Sequence, residues 1–114
     1  MRVIWAGLSV AVLVGSAFAD DSVMATRFGN TTIARDASGM ERHVYYKADG
    51  TFTGKRGAIK FSGTWKLKTG MICLTTAIAV PGIPSPACAP VSAHKVGDSW
   101  KTGANTTSLV AGIQ

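Results

Sequence analysis

Few residues in this chain can move a proton or attack a carbonyl at neutral pH. His43 and His94 are the only histidines, Glu41 is the only glutamate, and Cys73 and Cys88 are the only cysteines among 114 residues. Glu41 and His43 stand two apart in a stretch that reads as a strand, so both side chains leave the same face. A carboxylate so placed can orient an imidazole, which is part of the machinery of a small hydrolase. The machinery also needs a positioned nucleophile, and no pattern picks one out. Gly-x-Ser-x-Gly, HExxH, Walker-type and GxGxxG strings are absent. A pair of solvated polar residues at the start of a strand is the simpler reading of Glu41 and His43. Asp36, Asp49 and Asp98 lie in or beside turn sequences, where a carboxylate accepting a backbone N–H explains them. The expectation is a protein without catalytic residues, metal or cofactor.

The cysteines carry a different chemistry, and the N-terminus sets its compartment. Met1-Arg2 supplies a positive end, Val3 to Val14 is almost wholly apolar, and Ala17-Phe18-Ala19 has the small-x-small form of a signal-peptidase site. Residues 1–19 are therefore read as a secretory signal cleaved before Asp20, leaving a single domain over residues 20–114. Val3 to Ala19 is shorter than the ~20 residues a membrane span needs, so no transmembrane segment is expected after cleavage. An even cysteine count in an exported chain reads as a disulfide between Cys73 and Cys88. With no CxxC and no basic neighbour to lower a thiol pKa, the bond is expected to be structural rather than redox-active. The localisation implied is periplasmic or secreted, and bacterial from the compact form of the signal.

Of twelve basic residues only Arg2 belongs to the leader, while all six acids lie beyond it, so the formal net charge falls from +6 to +5. That excess favours anionic partners, within the roughly 8 Å that physiological salt leaves unscreened. No like-charge run exceeds a pair such as Lys55-Arg56, and with export this argues against a nucleic-acid partner. The basic residues with the clearest arrangement are Lys60, Lys66 and Lys68. Ile59, Phe61, Gly63, Trp65 and Leu67 alternate with Lys60, Ser62, Thr64, Lys66 and Lys68, so a strand here has one apolar and one basic face. Tyr45 and Tyr46 point to opposite faces of their strand, which leaves one for the core and the other, with Tyr45 as the candidate, for contact. The expected binding residues are Lys60, Lys66, Lys68 and Tyr45, together with the loop from Ala79 to Pro86, acting on an anionic envelope component or an exported protein.

The elements that must position these residues are short and β-like. Turn signals at Ala37-Ser38-Gly39, Ala48-Asp49-Gly50, Lys68-Thr69-Gly70, Val96-Gly97-Asp98 and Thr102-Gly103-Ala104 punctuate the chain. Between them Thr31–Asp36, Arg42–Lys47, Thr51–Gly54, Ala58–Lys68 and Ile72–Ile78 are rich in β-branched and aromatic residues. Asp20 to Phe28 has no sustained period and reads as an arm or short irregular turn. Gly63 marks either a bend or a turn within its segment. Ala79 to Val91 holds all four prolines and is expected to be largely irregular. The fold class is all-β: an antiparallel meander of about seven or eight short strands. Exposed edges are a liability, so a closed or nearly closed small barrel with one disulfide-stapled Pro-rich loop is expected.

The order Gly29-Asn30-Thr31, Tyr45-Tyr46 with Asp49-Gly50, Gly63-Thr64-Trp65, Cys73 and Cys88, then Gly97-Asp98-Ser99-Trp100 resembles small exported bacterial proteins of unknown function. The likeness covers most of Gly29 to Trp100 and implies no particular activity. Gly63-Thr64-Trp65 is also similar to the Gly-x-Trp strand of lipocalin- and avidin-like barrels, which implies a ligand in the barrel. In architecture alone the chain resembles the small one-disulfide barrels that inhibit secreted metalloproteases. The function expected is that of a non-catalytic binding or accessory domain. An inhibitor of a secreted or periplasmic hydrolase and a small hydrolase using Glu41 and His43 are the alternatives.

Overall fold

The computed structural model describes residues 22–114. The expected leader and its cleavage point before Asp20 lie outside the described residues. Among the described residues no helix is long and apolar enough to cross a membrane. A single 3-10 turn at Ala25–Arg27 precedes eight strands: β1 (Thr31–Arg35), β2 (Glu41–Tyr46), β3 (Thr51–Arg56), β4 (Ile59–Lys68), β5 (Met71–Thr76), β6 (Ala87–Pro90), β7 (Ser99–Thr102) and β8 (Asn105–Val110). All neighbours pair antiparallel, in the order β6-β5-β4-β3-β2-β1-β8-β7. The sheet curls into a nearly closed barrel whose two edges, β6 and β7, flank an unbonded seam. Residues 91–98 carry the chain from one edge to the other.

Turn chemistry sets the hairpins. In the β2–β3 turn the Gly50 N–H donates to the Lys47 carbonyl, and Gly50 takes φ +91°, a left-handed conformation that an L side chain resists. The Asp49 carboxylate accepts the Thr51 N–H at 3.0 Å and the Thr51 hydroxyl at 2.6 Å. Asp36 does the same in the β1–β2 turn, accepting from Ser38 N–H, the Ser38 hydroxyl and Met40 N–H. These bonds, led by the serine and threonine hydroxyls, hold both carboxyls below their ordinary value of 3.8. A carboxyl depressed in the folded state stabilises the fold above its unfolded pKa, and the contribution is lost as pH falls through the folded pKa. Urea midpoints are therefore expected to fall below about pH 4. Asp49→Asn should flatten that acid limb; an unchanged limb would contradict the turn's role.

β4 runs unbroken from Ile59 to Lys68, so Gly63 is a site of close approach within a strand and not a turn. Its alternation is as read: Phe61 is buried and Trp65 and Leu67 half-buried, while Lys60, Lys66 and Lys68 are exposed. Inside the barrel Phe52 and Phe61 meet edge to face at 6.2 Å, as do Tyr46 and Trp65 at 6.3 Å. Met24, wholly buried, enters this cluster from the N-terminal segment and fixes it across the barrel. Tyr46 is buried and Tyr45 faces outward, where its hydroxyl donates to the Gln114 carbonyl.

One expectation is modified. Ala79 to Val91 is not irregular throughout, because Ala87–Pro90 forms β6 on β5. An edge strand needs ladder bonds on one side only, so Pro90 can close it without leaving a partner unpaired. Before it, Val80 and Ile83 bridge around Pro81-Gly82. Cys73 and Cys88 are directly opposite in the β5–β6 ladder and are joined as a disulfide. Cys73 also stands opposite Lys66, which places the bond on the outer face of the barrel.

Candidate functional site

Period-two alternation sends Arg42, Val44 and Tyr46 of β2 to the same side as Thr32 and Ala34 of β1, the inside of the barrel. From β5 and β6 come Ile72, Leu74, Ala87 and Ala89, and from β7 and β8 Trp100, Thr102, Asn105 and Thr107. Small residues on β6 and hydroxyl residues on β7 and β8 leave the interior unfilled along the seam. The result is a cavity of about 430 Å³ between the edge strands, with an apolar wall on the β5–β6 side and a polar one opposite. Its volume falls within the roughly 300–1,000 Å³ typical of small-molecule sites.

The cavity is basic. Arg27, 4% exposed, lines it from the 3-10 turn, donates to the carbonyls of Val23 and Ser92, and lies 5.7 Å from the Trp100 ring centroid. Burial pushes its pKa down, but a guanidinium remains charged. Arg42 is half-buried and has no hydrogen bond or ion pair among the described residues. It stands directly across from Arg56 of β3, an opposition of like charges that is destabilising. Tyr46 lies within the field of both Arg27 and Arg42, yet burial dominates and raises its pKa, so the phenol stays neutral. The Thr32 hydroxyl is buried and unbonded. Among the described residues no Asp or Glu lines the cavity.

The residues singled out by sequence lie elsewhere. Tyr45 and Lys60 line an outer groove with Lys55, Ser62, Ile113 and Gln114. Lys66 and Lys68 lie at the other end of β4, six and eight residues from Lys60. At about 3.3 Å per residue that is roughly 20 Å or more, well beyond the ~8 Å screening length. The three lysines therefore share a face without forming one patch. Glu41 and His43 do meet, Nε2 to Oε1 at 3.2 Å, but Glu41 also pairs with Arg35 and His43 Nδ1 lies 3.2 Å from the Gln114 carbonyl. Hydrogen bonds from Arg35 and then His43 depress the Glu41 pKa. His43 Nδ1 and the Tyr45 hydroxyl share the Gln114 carbonyl, and among the described residues no serine, threonine or cysteine side chain bonds His43.

A second histidine cluster is formed by the β6–β7 connection. The Ser92 hydroxyl lies 3.0 Å from His94 Nε2, and His94 Nδ1 lies 3.5 Å from Asp98 Oδ2. The order is that of a nucleophile, base and acid. His94 stacks flat on Trp100 with centroids 3.5 Å apart, and its carbonyl accepts the Thr26 hydroxyl. Neither Ser92 nor His94 lines the seam cavity or the outer groove. The cluster ties the connection to the N-terminal segment and to β7.

Sequence reasoning missed Arg27, Arg42 and Thr32. A signal for Arg42 was present, since the spacing that puts Glu41 and His43 on one face puts Arg42 with Val44 and Tyr46 on the other. For Arg27 and Thr32 no local signal exists. Comparison with protein-family models, curated proteins and solved structures finds no match. The site is thus defined by its own geometry: a small antiparallel barrel with a basic cavity opening between its edge strands.

Proposed function

We propose that this protein is an exported, non-catalytic binding domain that takes a small molecule into its barrel. The observation that carries the reading is the cavity along the β6–β7 seam, lined by inward-facing residues of six strands and walled by Ile72, Leu74, Ala87 and Ala89 on one side. The structural disulfide and the absence, among the described residues, of a helix able to span a membrane fit an exported domain. A Gly-x-Trp strand in a ligand-binding barrel is in keeping with it. The hydrolase reading draws less support, because His43 faces a main-chain carbonyl where a nucleophile is needed. For the inhibitor reading there is one large exposed apolar side chain beside the Pro-rich loop, Ile78 at 76% exposure.

The test is a neutral fluorescent probe, N-phenyl-1-naphthylamine, titrated into the oxidised protein. Saturable binding is expected. Ala89→Trp, which fills the cavity from β6, should weaken it at least tenfold, about 1.4 kcal/mol. Ser62→Trp, which fills the outer groove, should leave it unchanged. The opposite pattern would move the site to the groove of Tyr45 and Lys60, and no binding by wild type would end the reading.

A further inference from the structure

The cavity is not neutral, and among the described residues its charge has no internal counterpart. Two guanidinium groups, Arg27 and Arg42, line a space to which no described residue brings a carboxylate. A charge taken out of water without a partner is costly. Arg27 is partly compensated by the carbonyls of Val23 and Ser92 and by the Trp100 face. Arg42 has no such compensation and bears in addition the repulsion of Arg56 opposite. Arg56 itself lies in the field of Asp36, whereas none of the described carboxylates, Asp36, Glu41, Asp49 and Asp98, lies in the field of Arg42.

The second observation is independent of charge. Thr32 is 8% exposed, its side chain lines the same cavity, and its hydroxyl has no hydrogen-bond partner. A buried hydroxyl without a partner gives up the hydrogen bonds it makes to water and gains none in exchange. Methyl in place of hydroxyl would be free of that penalty at the same shape, so packing alone does not account for a threonine here. Arg42, Thr32 and Arg27 offer N–H and O–H donors, and the neutral Tyr46 phenol lies in the same lining. Across from them the β5–β6 wall offers aliphatic surface only: Ile72, Leu74, Ala87 and Ala89.

We propose that the ligand of this cavity is an amphipathic anion, a small molecule whose carboxylate or like oxyanion docks on Arg42, Thr32 and Arg27 while its apolar body lies against β5 and β6. The proposal rests on the cavity being the binding site and adds the chemical class of what binds there. Arg42 supplies a planar fork suited to two oxygens of one group. The Thr32 hydroxyl then gains the partner it lacks. The seam gives the apolar body a path in between β6 and β7 without breaking a ladder hydrogen bond.

The experiment compares two probes with the same aromatic body, 8-anilinonaphthalene-1-sulfonate and the neutral N-phenyl-1-naphthylamine, on the oxidised, folded protein. One charge-assisted contact of about 2 kcal/mol predicts roughly 30-fold tighter binding of the sulfonate. Arg42→Met should remove most of that preference, read as the ratio of the two probes' affinities for the same variant. Lys66→Gln, an equal loss of charge on the outer face, should leave the preference intact. Thr32→Val should weaken the sulfonate without lowering the urea midpoint, a combination that a merely structural threonine would not produce, and it serves as the second arm if Arg42→Met does not fold. If the neutral probe binds and the sulfonate binds no tighter, the anion assignment fails and the cavity reading stands. If Lys66→Gln costs as much as Arg42→Met, the sulfonate is reading surface charge and the assignment also fails. If neither probe binds, both proposals fall together.

Discussion

Replacing Gly63 by alanine is expected to destabilise the barrel by about 3 kcal/mol or more, the upper range for overpacking a close-packed site. A Cβ at this position would lie 1.9 Å from the Thr75 carbonyl oxygen and 2.9 Å from the Thr75 carbonyl carbon and the Thr76 Cα. These are main-chain atoms of β5, so no side-chain rotation relieves the overlap. Either β4 and β5 separate at the ladder that joins Gly63 to Thr76, or the register slips and turns Trp65 and Leu67 outward. Gly50→Ala is the control. Gly50 has φ +91° but only the Trp65 carbonyl at 4.0 Å, so its substitution should cost the ~1 kcal/mol of a left-handed L residue. Equal urea midpoints for the two variants would refute the steric account of Gly63.

Converting both Cys73 and Cys88 to serine is expected to lower stability by about 2–4 kcal/mol and leave a foldable domain. The bond closes a loop of sequence separation 15, worth roughly 3 kcal/mol in the chain-entropy treatment. Its location adds a consequence that spacing alone does not carry. β6 pairs only with β5 and forms one lip of the seam, so the disulfide also holds the cavity wall that carries Ala87 and Ala89. The double variant should therefore lose probe affinity at temperatures where its global fold is intact. The wild-type protein should resist iodoacetamide until reduced. Two alkylated cysteines in the native protein, or an unshifted urea midpoint in the double variant, would overturn this account.

Much of the strand content was legible because its causes are local. Alternation over Ile59–Lys68, the opposite directions of Tyr45 and Tyr46, and the Asp-Gly turn at Asp49-Gly50 depend on neighbours within a few residues. The cysteine pair was legible because a chain with two cysteines has one pairing available, and the expectation of export favoured that pairing. β6 was hidden by Pro86 just before it and Pro90 at its end, which an edge strand tolerates and an isolated sequence does not announce. Gly63 could be read as a bend or a turn because the atom that excludes a Cβ there, the Thr75 oxygen, belongs to another strand.

The chain by itself determined the period of its strands, the places where it turns, the one covalent cross-link and an excess of basic residues. Tertiary structure alone decided that the sheet curls until β6 and β7 face each other, since curvature sums small twists over eight strands and has no local sign. It alone decided which basic residues stand in water and which line the cavity. Lys60, Lys66 and Lys68 stand on an exposed face where water screens them, while Arg27 and Arg42, unremarkable in sequence, are turned into a space where charge is expensive. A side chain's chemistry depends on what surrounds it, and the surroundings of Arg42 come from strands as distant in sequence as β8, more than sixty residues further along the chain, as well as from its own hairpin.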